Sequence, residues 1–381
     1  MRAPEDVGTV TGHILCSDTQ RPARLAEVRL VPAGITAAPA KSNALEDDAA
    51  LGGRLPPVQT DMSGAFTVHN VHPGTYYLRV DYPGYLTPLL GFTRDQLAHP
   101  TPELQQRIAN ELQTVTVAPH ATTRADATIP RGASISGTVL YDDGSPAAGV
   151  GLSLFRRNAK GEFKEEFQAF NSFFRRTDDH GRFHIDSLPA DSFVLAANFS
   201  ISESSIMTMP MPSGGGGTMQ MNVQKVLFSL PLYSGSALRL RDAVVIKTDA
   251  GQETPSVDLT LPLSKLHSVS GTLVTKSGHT INAGKVALLY ADTREELTNV
   301  PINRDDNQFH FLYVPEGNYV LAVQEAKDVT QVDVPNPPGS NPKTHLEDKT
   351  LHTYGTTEQP LVLEGEQPSV LVTVPEKSET P

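Results

Sequence analysis

The sequence predicts an all-β protein made of three tandem antiparallel β-sandwiches, Greek-key in connection, with one short helix in the first. Three observations predict it. The first is a hairpin pattern that recurs around an aromatic residue: Phe66, Phe183 and Phe309 are each followed by an apolar residue five positions on (Val71, Leu188, Val314), an aromatic ten on (Tyr76, Phe193, Tyr319) and Leu twelve on (Leu78, Leu195, Leu321). The second is a first-strand signature with a central glycine, Val10-Thr11-Gly12, Ile135-Ser136-Gly137 and Val269-Ser270-Gly271. These glycines are 125 and 134 residues apart (137 − 12, 271 − 137), a domain length rather than a solenoid repeat. The third is composition: 30 prolines and 29 glycines in 381 residues suit many turns between short strands and disfavour a helical bundle.

The expected domains are 1–130, 131–264 and 265–381. In the first, the Gly12 strand turns near Pro22 into a strand through Val28 and Leu30, and an Ala- and Pro-rich insertion, 33–57, reads as a surface loop. The Phe66 hairpin follows, opened by Asp61 and Gly64. A helix is expected near 102–113, with Thr101 as N-cap, Pro102 in the first turn and Leu104, Ile108 and Leu112 on one stripe. Strands at 114–117 and 125–129 close the unit. The second domain repeats the plan, with the turn Asp178-Asp179-His180-Gly181 before Phe183, and adds two insertions: 156–176, with Phe163, Phe167, Phe170, Phe173 and Phe174, and a Met- and Gly-rich hairpin, 201–224. The third carries a Pro-rich stretch, 335–342, read as a mobile loop, and a tail expected to be disordered. Asp61 and Asp178 read as Asx-turn residues, each accepting a backbone N–H ahead of Gly64 and Gly181.

The net charge of −12 and the absence of clustered Lys and Arg argue against nucleic acid and against an anionic membrane surface as partners. No apolar run approaches a bilayer span, and the N-terminal residues have no apolar core of a signal peptide. The single cysteine, Cys16, excludes an intrachain disulfide and reads as a packing residue.

With these motifs in place, the chain resembles the carboxypeptidase regulatory-like domain family, a transthyretin-like (prealbumin-like) sandwich, in three copies. The residues that carry the resemblance are the I/V-S/T-G first strands, Gly144-Ser145-Pro146-Ala147-Ala148-Gly149-Val150, and Asp178-x-x-Gly181-x-Phe183. Domain 3 departs from it, with Arg304 where Asp61 and Asp178 stand and Asn307 for the glycine. The family's modules accompany secreted enzymes, outer-membrane receptors and surface proteins, so the resemblance implies a secreted, periplasmic or cell-surface location. No His-x-x-Glu pair accompanies these modules, so peptidase activity is not carried over.

Five of the seven methionines, Met207, Met209, Met211, Met219 and Met221, flank 213–217; folded as a hairpin, this stretch would gather thioethers suited to Cu(I), or form an apolar flap against a partner. The pairs His69/His72 and His180/His184 have zinc-ligand spacings, but by alternation His184 and His310 point to solvent beside Phe183 and Phe309, and His72 precedes the turn Pro73-Gly74, so these read as solvated positions on separate domains. With no Trp, a polysaccharide would have to stack on Tyr82, Tyr85, Tyr233 or Tyr354. No nucleophile elbow or phosphate loop is present. The expected function is therefore a non-catalytic structural or adhesive element without a cofactor. It would bind protein partners or itself through sheet edges and insertions, and assemble into a fibre. The alternative is an accessory protein that binds carbohydrate or Cu(I).

Overall fold

The computed structural model describes residues 6–32, 55–87, 101–111, 113–158, 160–165, 175–210, 218–304, 306–335, 344–367 and 369–377. Most of the first insertion (33–54), Leu112, Phe167, Phe170, Phe173, Phe174, Met211, the 213–217 stretch, residues 336–342 and the tail from 378 lie outside them.

Strands β1 (Gly8–Cys16), β2 (Glu27–Pro32), β3 (Val58–Gln59), β4 (Ala65–Val71), β5 (Gly74–Asp81), β6 (Thr114–Val117), β7 (Thr122–Arg124) and β8 (Ala127–Ile129) form the first sandwich, with helix α1 (Pro102–Glu111) between β5 and β6. The second contains β9 (Ala133–Tyr141), β10 (Gly151–Arg157), β11 (Phe163–Glu165), β12 (Arg182–Leu188), β13 (Ser192–Pro210), β14 (Thr218–Tyr233), β15 (Ile246–Lys247), β16 (Glu253–Thr254) and β17 (Leu259–Leu261). The third contains β18 (Leu266–Val274), β19 (Ala283–Tyr290), β20 (Glu296–Pro301), β21 (Gln308–Pro315), β22 (Gly317–Pro335), β23 (Thr344–Thr353), β24 (Thr357–Leu363) and β25 (Val370–Thr373). The described residues are thus nearly all β, with a single α-helix and two short 3-10 turns, Leu240–Asp242 and Leu263–Lys265, and the α-helix is capped where the sequence places the cap: the Leu104 N–H donates to Thr101 Oγ1 at 3.3 Å.

The same pairing recurs three times. One sheet runs β4-β1-β7, β12-β9-β16 or β21-β18-β25, and the facing sheet is built on β2-β5, β10-β13 or β19-β22. The hairpin pairs are antiparallel, but the closing strands run parallel to the first strand in each sandwich: β7 and β8 beside β1, β16 and β17 beside β9, β25 beside β18. Sequence alternation is blind to this, because parallel and antiparallel neighbours present the same inward face.

The motif residues explain one another here. Gly12 lies opposite Phe66, Gly137 opposite Phe183 and Gly271 opposite Phe309. A Cβ on Gly12 would stand 2.0 Å from the Ala125 carbonyl oxygen, and one on Gly137 2.2 Å from that of Val257. On Gly271 it would meet the Phe309 ring at 2.3 Å. Each glycine is therefore the floor on which the closing strand and a core aromatic ring both rest. The rings join cores drawn from both sheets, such as Ile14, Leu30, Phe66 and Leu78 in the first sandwich and Leu273, Leu288, Phe309 and Leu321 in the third.

Each hairpin strand carries an extra residue four positions after its aromatic: Asn70, Ser187 and Tyr313, at φ +58°, +59° and +52°. The ladder slips there in all three sandwiches, on the edge strands β4, β12 and β21.

By backbone proximity the chain forms two compact units. One contains Met1–Phe199 and Pro231–Leu261, which hold the first two sandwiches; the other contains Ser200–Leu230 and Pro262–Pro381. The outer part of the β13–β14 hairpin therefore belongs with the third sandwich.

Candidate functional site

Beyond the strand that follows the Phe-centred hairpin, each sandwich carries its largest addition. The first has the segment with α1 between β5 and β6; the second and third have hairpin arms, β13–β14 and β22–β23. The 335–342 stretch, expected as a plain loop, is flanked by paired strands, with Val329 opposite Thr350 and Pro335 opposite Thr344. The core stripe of β14 runs outward from buried Leu232 and Leu230 through Phe228 to Val226, which is 62% exposed. Ile201, Ile206, Met221 and Leu227 are exposed on the same arm, and Leu346 and Leu351 on β23 are 60% and 50% exposed. An ion pair between Arg304 and Asp348 ties the third arm to its sandwich.

Two contacts place these additions against a following sandwich. In the first compact unit, the segment just past β5 meets the bulge of β12: the Gly84 N–H donates to Ser187 Oγ at 3.0 Å, and the Gly132 N–H to the Gly84 carbonyl at 2.9 Å. The Arg131 guanidinium lies 5.0 Å from the Tyr85 ring centroid, and the Tyr85 hydroxyl donates to Asp18 at 3.0 Å. Burial, with Cys16 next in effect, pushes that hydroxyl up to about 12. In the second unit, Phe228 of the β13–β14 arm lies 5.1 Å, centroid to centroid, from Tyr313, the bulge residue of β21. Sequence reading passed over both contacts. The signal available was the apolar residue five after the aromatic, Leu188 and Val314, which falls one position out of strand alternation and places the bulge at Ser187 and Tyr313.

The turn residues have local partners. Asp61 Oδ1 accepts from the backbone N–H groups of Ser63 (2.7 Å) and Ala65 (2.9 Å) and from the Ser63 hydroxyl. These bonds, the hydroxyl's first, hold the Asp61 carboxyl below its ordinary range. Asp178 Oδ1 accepts from His180 (2.9 Å) and Arg182 (2.8 Å) N–H groups. Gly64 and Gly181 follow at φ +78° and +73°. The residue before each aspartate is a buried threonine not singled out from sequence: Thr60 Oγ1 donates to the Ala23 carbonyl and Thr177 Oγ1 to that of Ala147, both at 2.5 Å. Among the described residues, Asp178, Asp179 and His180 bring ligand atoms within 4.8 Å of one another, but they are consecutive, exposed and engaged within their turn.

Met207 and Met209 lie on β13 and Met219 and Met221 on β14, the two strands of one hairpin; Met221 is exposed. His69, His72, His180, His184 and His310 are exposed. Of the tyrosines considered for stacking, Tyr85 and Tyr354 are buried, and Tyr82 and Tyr233 are half-buried beside Tyr85 and Phe155. No described helix is long and apolar enough to cross a membrane.

Compared with protein-family models and with curated proteins, the sequence has no match. Among solved structures, a Streptococcal ancillary pilin aligns at 10% identity over 98% of this chain and 99% of its own, with a TM-score of 0.29. The Bacillus anthracis TIE protein aligns at 11% identity over 98% of this chain, which spans 52% of that protein, with a TM-score of 0.21. A putative carbohydrate binding protein from Pseudomonas aeruginosa aligns at 17% identity over 29% of this chain and 88% of its own, with a TM-score of 0.17. The superpositions are too loose to carry function, and the fold rests on the chain's own sheets.

Proposed function

We propose that the chain is a non-catalytic structural or adhesive protein of the cell exterior, made of three sandwich domains divided near residues 130 and 264, that works by binding protein surfaces with its hairpin arms. The observation that carries the reading is the pair of arms themselves. Each extends β-ribbon beyond its sandwich while exposing apolar side chains, Ile206, Val226 and Leu227 on one and Leu346 and Leu351 on the other. Single exposed apolar residues need no explanation, but here they recur along both faces of two ribbons that extend past their sandwiches, which offers a partner apolar contacts on either side. Beyond Asn198, β13 has only β14 as a hydrogen-bonded neighbour among the described residues, so backbone groups along its other edge are available to a partner. The extracellular location rests on the resemblance of the repeated motifs.

The test is sedimentation and negative-stain imaging over a wide concentration range, paired with capture of surface proteins on the immobilised chain. Oligomers or a captured partner that are lost when Ile206, Val226 and Leu227 become Ser support the reading; association indifferent to both arms overturns it. A second reading is favoured by four methionines on the two strands of one hairpin: the arm binds Cu(I) through Met207, Met209, Met219 and Met221, with Met211 beside them in sequence. Replacing all five with Leu would then abolish Cu(I) retention against a competing chelator, and undiminished retention would remove that reading.

A further inference from the structure

An edge bulge ordinarily blunts a sheet against unwanted pairing. In this chain it does more in two of three places. Ser187, the bulge of the second sandwich, receives the segment that leaves β5 of the first; Tyr313, the bulge of the third, receives Phe228 from the arm that leaves β13 of the second. The donor is each time the segment past the same strand, and the acceptor is each time the same bulge position. Tyr313 holds a bulky side chain at φ +52°, a conformation that costs stability and persists where the surroundings demand it.

The third pairing of this kind is open at both ends. Asn70, the bulge of the first sandwich, is exposed, as are His69 and His72 around it. On the donor side, the arm that leaves β22 of the third sandwich keeps Leu346 and Leu351 exposed on its returning strand, the strand equivalent to the one that carries Phe228. We propose that the β22–β23 arm of one copy docks on the β4 bulge at Asn70 of a second copy, repeating between chains the contact that the Ser187 and Tyr313 bulges each make within one compact unit. A donor and an acceptor at different places on one molecule make a heterologous contact, which propagates head to tail rather than closing a two-fold dimer. The inference deepens the structural reading above and rests on it.

The experiment uses the full chain. His69→Cys, beside the bulge, and Leu351→Cys, on the arm, are made singly and together; Cys16 is buried and serves as no competitor. After mild oxidation, mixed single variants are expected to give a heterodimer that neither gives alone, and the double variant a ladder of multimers. Leu346→Glu with Leu351→Glu, both exposed and so without effect on the melting temperature, is expected to weaken self-association by about tenfold or more. Self-association that persists unchanged in the Glu variant, without the mixed crosslink, overturns this contact and leaves the assembly reading standing. An intrachain crosslink in the double variant overturns the intermolecular contact. A wild-type chain monomeric from about 1 μM to about 1 mM overturns both.

Discussion

At the scale of single residues, the repeated glycine and aromatic decide whether each sandwich closes. Gly137 has the Val257 carbonyl over one side and the Phe183 ring beside it, so a methyl group at 137 must displace backbone. Gly137→Ala is expected to cost about 2 kcal/mol or more, and Phe183→Ala about 3–5 kcal/mol, read from denaturant midpoints. Tyr85 offers a spectroscopic prediction. Its hydroxyl ionises near 12 in the folded chain against about 10 in an unfolded one. A raised folded value means stability that is whole below the unfolded value and lost as pH rises through the folded one, so stability falls between about pH 10 and 12. Burial also raises Tyr76 and Tyr354, so ultraviolet titration should show a late-ionising fraction that shrinks by one tyrosine in Tyr85→Phe. Asp61 works at the other end of the scale. Its value is lowered, so its contribution is present above the ordinary carboxylate range and fades as pH drops through the folded value. Asp61→Asn is expected to destabilise at pH 7 and to match wild type in acid, as followed by melts across pH.

At the scale of elements, the arms are hairpins with little core of their own, and what they touch defines them. Phe228 and Tyr313 form a tilted ring pair, 5.1 Å apart with a 59° interplanar angle, within one compact unit. A double-mutant cycle between Phe228→Ala and Tyr313→Ala is expected to return a coupling of about 0.5–1.5 kcal/mol, whereas two merely exposed rings would return none. The hairpin around the methionines was legible from sequence, because apolar residues at every second position flank a glycine run. The third arm was not, because its strands carry charged residues on both faces, Asp328, Asp333, Glu347, Asp348 and Lys349 among them, and its turn was the more conspicuous signal.

At the scale of the whole molecule, the first two sandwiches share one compact unit through the meeting of Tyr85, Arg131, Gly84 and Ser187. Calorimetry is expected to show these two unfolding in a common transition. Arg131→Ala, which removes the guanidinium from the Tyr85 ring, should separate it into two, while an unchanged single transition would mean that the junction carries little coupling.

The class of fold and the threefold repeat are legible in the sequence because strand alternation and turn residues are local requirements that leave a mark at fixed spacing; the motif glycines recur in it too, although what forbids their Cβ is a distant strand, Ala125 for Gly12 and Val257 for Gly137. Only the tertiary arrangement shows that the closing strand runs parallel to the first, that a residue four after each aromatic bulges from an edge, and that at Ser187 and Tyr313 the bulge receives a segment leaving the preceding sandwich. Those features depend on which strands meet in space. Contacts between residues as distant in the chain as Gly84 and Ser187, or Phe228 and Tyr313, impose no periodicity on either partner.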